Sequence, residues 1–204
     1  MLTRVDDLIR IDHSYLEESD ECLFRREYTP RVGYEFSSTN DLIQNFKKPI
    51  DRRGRAEYWY KGWAIRKITE ELSADLDRDW LKTATLVPIP PSKSHIHPLY
   101  DDRMIQVLKG ISGHVGFECD IREIILQSMS YEAAHTTADR PSLVQIQDGY
   151  TIDERLADPA PRAIGIFDDV LTTGAHFKAA KNVLAARFPG IPIVGIFVAR
   201  VTRL

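Results

Sequence analysis

Residues 162–176 read Arg-Ala-Ile-Gly-Ile-Phe-Asp-Asp-Val-Leu-Thr-Thr-Gly-Ala-His. The stretch opens on an apolar run, Ala163 to Phe167, which suits a strand buried on both faces of a parallel sheet. Two adjacent carboxylates follow, Asp168 and Asp169, at the carboxyl end of that strand, where open α/β sheets hold their ligands. After Val170 and Leu171 come Thr172, Thr173, Gly174 and Ala175. Phe177, Ala180, Val183, Leu184 and Phe188 then recur at helical spacing. Backbone N–H groups and hydroxyls at a helix N-terminus favour a phosphate. Carboxylates accept hydrogen bonds from a diol or suit a magnesium shell. A ligand that needs both is a sugar phosphate. A side chain at position 174 would crowd the approach of a phosphate to the backbone. No Gly-Lys-Ser/Thr follows the glycine and no G-x-G-x-x-G occurs, so a Walker loop and a dinucleotide fingerprint are excluded.

A second candidate site follows a strand expected at 83–89. Pro90 and Pro91 make a rigid turn, and Ser92 and Lys93 then present a hydroxyl and an ammonium at that strand's carboxyl end. A lysine is a compact point charge suited to phosphate. His95 and His97 form a His-x-His pair with no third metal ligand in view, so they read as loop histidines.

Residues 166–177, IFDDVLTTGAHF, resemble the phosphoribosyl-pyrophosphate motif of type I phosphoribosyltransferases. His176 departs from it, since that family more often has a small, hydroxyl or apolar residue there. The segment 87–93, VPIPPSK, resembles the Val-Pro-Val-Pro segment of the ComF-like subgroup, and the closing Val-Ala-Arg-Val resembles that subgroup's C-terminus. The likeness runs with gaps from about residue 28 onward. The subgroup's cysteine-rich zinc segment is missing, in keeping with two distant cysteines, Cys22 and Cys119.

The resemblance implies an α/β fold: a mostly parallel twisted sheet with helices on both faces, a flexible lid and a small N-terminal addition. It implies that Asp168 and Asp169 hold the ribose hydroxyls, and that Thr172, Thr173, Gly174, Ala175 and His176 hold the 5′-phosphate. Ser92, Lys93 and Arg103 are the implied pyrophosphate contacts, although the subgroup's Arg-Gly-Phe-Asn-Gln is not present around Arg103. Mg2+ would be held mainly by the ligand and water. The partners implied are phosphoribosyl pyrophosphate and a nitrogenous base or nucleotide. An alternative is a catalytically silent sensor of phosphoribosyl pyrophosphate or nucleotides, or a competence-related binding protein. The acceptor base is not legible in the residues.

The rest of the chain adds less chemistry. At 204 residues it is one domain with additions, read as 1–56 packed on a domain at 57–204. The net charge of −3 gives no global basic field for nucleic acid. No apolar run approaches membrane length, and the N-terminus has no basic-then-apolar signal, so a cytoplasmic protein is expected. A homodimer is left open. Residues 1–30 carry no assigned chemistry, 28–36 read as a hairpin around Pro30 and Gly33, and 40–48 as a short helix. Lys47, Lys48, Arg52, Arg53 and Arg55 form a basic cluster, read as a solvated loop or a cover for an anion. Residues 57–78 predict a helix with Trp59 and Trp63 in the core. A helix is expected to open at Tyr100 to Arg103, strands at 121–127 and 191–199, and a helix at 174–187. Residues 128–148 lack a period and read as the lid, with His135 and Arg140 as its candidate functional residues.

Overall fold

The computed structural model describes residues 1–127 and 141–202. Its strands are β1 (Thr3–Arg4), β2 (Glu21–Tyr28), β3 (Thr85–Pro88), β4 (Asp120–Ile121), β5 (Ile125–Gln127), β6 (Tyr150–Ile152), β7 (Ile164–Leu171) and β8 (Ile193–Val201). Its helices are α1 (Asp7–Arg10), α2 (Ser38–Phe46), α3 (Trp59–Asp75), α4 (Arg78–Leu81), α5 (Arg103–Val115), α6 (Leu143–Asp148) and α7 (Ala175–Arg187). Six strands form one sheet in the order β1-β2-β8-β7-β3-β4, parallel at every pairing except β1 with β2. β5 and β6 form a separate antiparallel pair. No helix of the described residues is long and apolar enough to cross a membrane.

β7 contributes side chains to a core on each face of the sheet. Ile164 and Ile166 join Phe177, Ala180 and Leu184 of α7 in one core. Phe167 and Val170 join residues of α2, α3 and α5, including Phe46, Ile68 and Leu108, in the other. Helices therefore cover both faces, and each large apolar side chain buried this way contributes roughly 1.5–3 kcal/mol. A Cβ at Gly195 on β8 would lie 2.8 Å from the ring of Phe177, so the glycine lets α7 pack tightly on the sheet.

Several expectations are corrected. β7 does not stop at the carboxylates. It stays paired with β8 out to Leu171 opposite Arg200, while its other neighbour, β3, ends at Pro88 opposite Phe167. Asp168 and Asp169 thus sit where one side of the strand loses its partner. No hairpin forms at 28–36. β2 instead runs parallel to β8 from Glu21 opposite Val194 to Tyr28 opposite Val201, and the chain then turns through Arg31 (φ 65°) into a 3-10 turn at Tyr34–Phe36. Within 1–56, β1 and β2 pair into the main sheet. The expected strand 121–127 is split between two sheets. Arg122 donates its backbone N–H to Leu86 and its guanidinium to the carbonyls of Leu156 and Pro159, which turns the chain out of the main sheet.

Trp59 is 58% exposed rather than in the core. The buried face of α3 is Lys61, Ala64, Ile68 and Leu72, because Lys61 is tied to the carbonyls of Phe46 and Lys48 and so fixes the helix's rotation. Of the segment read as an irregular lid, Leu143–Asp148 is helical, started by a capping box between Ser142 and Gln145. Residues 128–140 of that reading, His135 and Arg140 among them, lie outside the described residues.

Candidate functional site

A cavity of about 870 Å³ opens at the carboxyl ends of β3 and β7. Asp168, Asp169, Thr172, Gly174, Ala175 and His176 line one wall; Ser92 and Lys93 line the other, with Arg103 at the start of α5 between them. The two sequence segments that carry the candidate chemistry thus face one space, and the β-end topology is what brings them there.

The two carboxylates are not equivalent. Asp169 is buried, and both its oxygens are taken: Lys47 Nζ lies 2.9 Å from Oδ1 and Arg103 Nη2 lies 2.6 Å from Oδ2. Burial alone would raise its pKa, but the charges of Lys47 and Arg103 outweigh that and hold it below the ordinary carboxylate range. Asp168 is half-buried and accepts the Asp169 N–H at 2.7 Å, and among the described residues no cation pairs with it. Burial and the neighbouring Asp169 charge push its carboxyl up to about 7. One carboxylate of the pair is clamped and ionised. The other is poised to gain or lose a proton.

The clamp extends into a ring. Arg103 Nη1 donates to Asp101 Oδ2 at 2.6 Å, and that same oxygen accepts from Lys61 Nζ at 2.9 Å. Lys61 also donates to the carbonyls of Phe46 and Lys48, which flank Lys47, and Lys47 closes the ring on Asp169. Sequence reading missed Lys47, Lys61 and Asp101. Lys47 stood in the basic cluster, but nothing in its spacing separated it from Lys48 or Arg52.

The loop after β7 is short and fixed. Gly174 takes φ +85° as the N-cap of α7, a conformation in which a side chain is strained. A Cβ there would meet Leu16 Cδ2 at 2.8 Å, so crowding falls on Leu16, behind the loop, and not on a ligand as the sequence suggests. The carbonyl of Thr172 accepts from the ring Nδ1 of His13, and the carbonyl of Thr173 accepts the Tyr15 N–H at 2.9 Å. In a planar trans peptide the next N–H points the opposite way, so the amides of Thr173 and Gly174 face away from the N-terminal segment. His176 is exposed to the cavity, with Nδ1 2.9 Å from the hydroxyl of buried Tyr150.

The loop after β3 is long and open. Ser92 is exposed and Lys93 half-buried. His97 Nδ1 accepts the Leu99 N–H at 3.0 Å, and His95 lies against Tyr100 with ring centroids 4.4 Å apart. His95 Nε2 stands 3.5 Å from Glu123, which also accepts the Tyr100 hydroxyl at 2.5 Å. Burial, then this carboxylate, raises the Tyr100 phenol's pKa. Among the described residues no three His, Cys, Asp or Glu side chains gather as a metal cage.

No family model matches the chain, and no curated protein sequence matches it.

Proposed function

We propose that the chain is a phosphoribosyltransferase of the type I kind. It would bind phosphoribosyl pyrophosphate and transfer the phosphoribosyl group to a nitrogenous base, or run the reverse. One observation carries the reading: a glycine loop with outward-facing amides, a carboxylate pair and the Ser92–Lys93 turn border a single cavity. The strand order and the helices on both faces also support a fold of this kind.

The roles follow from charge and position. The amides and hydroxyls of Thr172 to His176 would bind the 5′-phosphate at the N-terminus of α7. Asp168, the carboxylate left without a cation, would engage the ribose hydroxyls and favour positive charge developing on the sugar. Asp169, held by Lys47 and Arg103, would orient its neighbour and fix the local charge. Lys93 would stabilise the departing pyrophosphate across the cavity. The protein's contribution is positioning and electrostatics. A single unclamped carboxylate beside a polyphosphate site fits Mg2+, which takes one or two carboxylates and otherwise phosphate and water oxygens. When bound it would neutralise charge on the leaving group.

A second reading has its own observation. Two cations occupy Asp169, so a ribose diol would find one carboxylate instead of two, as in a binding protein that keeps the site without turnover. Pyrophosphate release with Mg2+, phosphoribosyl pyrophosphate and a panel of nucleobases tests both. Turnover with any base supports the enzyme. Calorimetric binding without turnover on the panel supports the sensor, and no binding removes both.

A further inference from the structure

We infer that residues 13–16, between α1 and β2, are a positioning element that sets the direction of the phosphate loop's amides from behind. The inference rests on the reading of Thr172 to His176 as a phosphate loop and adds to it a segment whose sequence carries no recognisable chemistry.

Three contacts converge on three consecutive loop residues. His13, fully buried, meets the carbonyl of Thr172 through Nδ1. A carbonyl only accepts, so Nδ1 carries the proton in this pair. The Tyr15 N–H donates to the carbonyl of Thr173 at 2.9 Å. Leu16, 8% exposed, fills the space directly behind Gly174, where a Cβ would come within 2.8 Å of its Cδ2. His13 and Thr172 are 159 positions apart, so nothing local to the loop requires these contacts.

The segment is itself fastened. His13 and Leu16 donate backbone N–H groups to the carbonyls of Arg10 and His13, each at 2.8 Å. Just beyond, Lys178 on α7 reaches Glu17 and Asp20 at 2.8 and 2.9 Å, and Lys181 reaches Asp20 at 2.6 Å. The same helix therefore supports the loop at its N-terminus and grips the segment along its first turns. The loop lies between this fixed backing and the cavity.

A loop around a left-handed glycine can exchange peptide orientations. In one orientation it offers N–H groups to a ligand; in the other it offers carbonyl oxygens, which repel a phosphate. Holding the two carbonyls from behind selects the donor state before the ligand arrives, which removes an ordering cost from binding. His13 and Leu16 are thus positioning residues that need not touch the ligand.

The test uses the full chain, with inorganic phosphate and ribose 5-phosphate as probes. His13→Leu removes the donor, His13→Asn restores an N–H near the Nδ1 position, and Leu16→Ala opens the space behind Gly174. Calorimetry gives affinity, and the ¹⁵N–¹H signals of Thr173 and Gly174 report the amides directly. The unaltered chain should bind ribose 5-phosphate with a large shift of both amide signals. His13→Leu should weaken it about tenfold or more, the scale of one hydrogen bond to a charged group, and lose the amide shifts while core signals stay in place. His13→Asn should recover most of both, and Leu16→Ala should show the loss in part. Folded His13→Leu and Leu16→Ala proteins with unchanged affinity and unchanged amide shifts would overturn the inference. If His13→Leu does not fold, the same comparison between Leu16→Ala and His13→Asn decides it. Failure of the unaltered chain to bind either probe would instead remove the phosphate-loop reading, and this inference with it.

Discussion

The loops that leave β7 and β3 end on the same cavity but are built differently. The first spans Thr172 to Gly174 between strand and helix, with two carbonyls tied to His13 and Tyr15 and its glycine backed by Leu16. The second runs from Ile89 to Asp102 before α5 begins, and Ile96 at its tip is 95% exposed. A braced loop presents its donors at no ordering cost. An open loop must be ordered by its ligand, and part of its binding free energy goes into that. On the proposed function, the braced β7 end suits the phosphate that stays in place, and the open β3 end suits the departing group.

The strongest test of a built β7 end is to remove a member of its charge cluster. Arg103→Leu leaves buried Asp169 and half-buried Asp101 with one cation each, Lys47 and Lys61. Breaking a buried pair costs roughly 3–5 kcal/mol when the remaining charge is left unpaired; because each acid here keeps one cation, the loss should sit at the low end, about 3 kcal/mol. Urea unfolding should show a loss of that order. Lys47→Ala, whose side chain is 43% exposed, should cost well under half as much. Equal losses would mean that the cluster is a surface network and the site is not pre-assembled.

Of comparable size is Gly174→Val. The strained φ and the clash with Leu16 each cost on the order of 1–3 kcal/mol, so unfolding free energy from thermal or urea melts should drop by about 2–6 kcal/mol before any ligand is added. Ser92→Val, on the open loop, should stay within about 0.5 kcal/mol. A Ser92 variant as damaging as the Gly174 variant would erase the difference between the loops.

Lys93→Ala sharpens the division of labour. It should weaken phosphoribosyl pyrophosphate by about 1.5–3 kcal/mol, the worth of a charge-assisted hydrogen bond, and leave ribose 5-phosphate nearly unchanged. Equal calorimetric losses for both ligands would move Lys93 to the 5′-phosphate.

What was legible in the sequence follows the same divide. The β7 end was legible because its information is local. An apolar run, Asp168 and Asp169, Thr172 to Ala175 and a helical period occupy one continuous string; the strand's start and both ends of the helix fall within one residue of expectation, while the strand runs on past the carboxylates to Leu171. The partners that complete the site are remote. Lys47 reaches Asp169 from the end of α2, and His13 reaches Thr172 from the other end of the chain. Neither residue differs in type or spacing from solvated neighbours, so only the tertiary register reveals it. β2 was missed for a similar reason. Its row Glu-Cys-Leu-Phe-Arg-Arg-Glu-Tyr is half charged, and Arg26 is accommodated by a pair with Glu71 across α3 that no local pattern shows.

The smallest predicted effect concerns the inequivalence of the carboxylates themselves. Asp168 titrates near 7 in the folded protein, raised first by burial and then by Asp169, against 3.8 as its ordinary value. Between these values the folded chain holds a proton that the unfolded chain has released, so Asp168 lowers stability progressively as pH rises from 4 to 7. Asp169 has the opposite sign. Its pKa is lowered, so its contribution is present above its ordinary range and is lost on acidification. Asp168→Asn keeps an oxygen to accept the Asp169 N–H and removes only the first contribution. The variant should therefore be more stable than the native chain at pH 8, by about 1–2 kcal/mol once the open side of the cavity is allowed for. The advantage should shrink toward pH 4. Asp169→Asn should do the reverse, since it leaves Lys47 and Arg103 facing a neutral amide. Parallel stability profiles for the two variants from pH 4 to 8 would mean that the carboxylates share one environment. The assignment of Asp168 to the ligand and Asp169 to the frame would then have no basis.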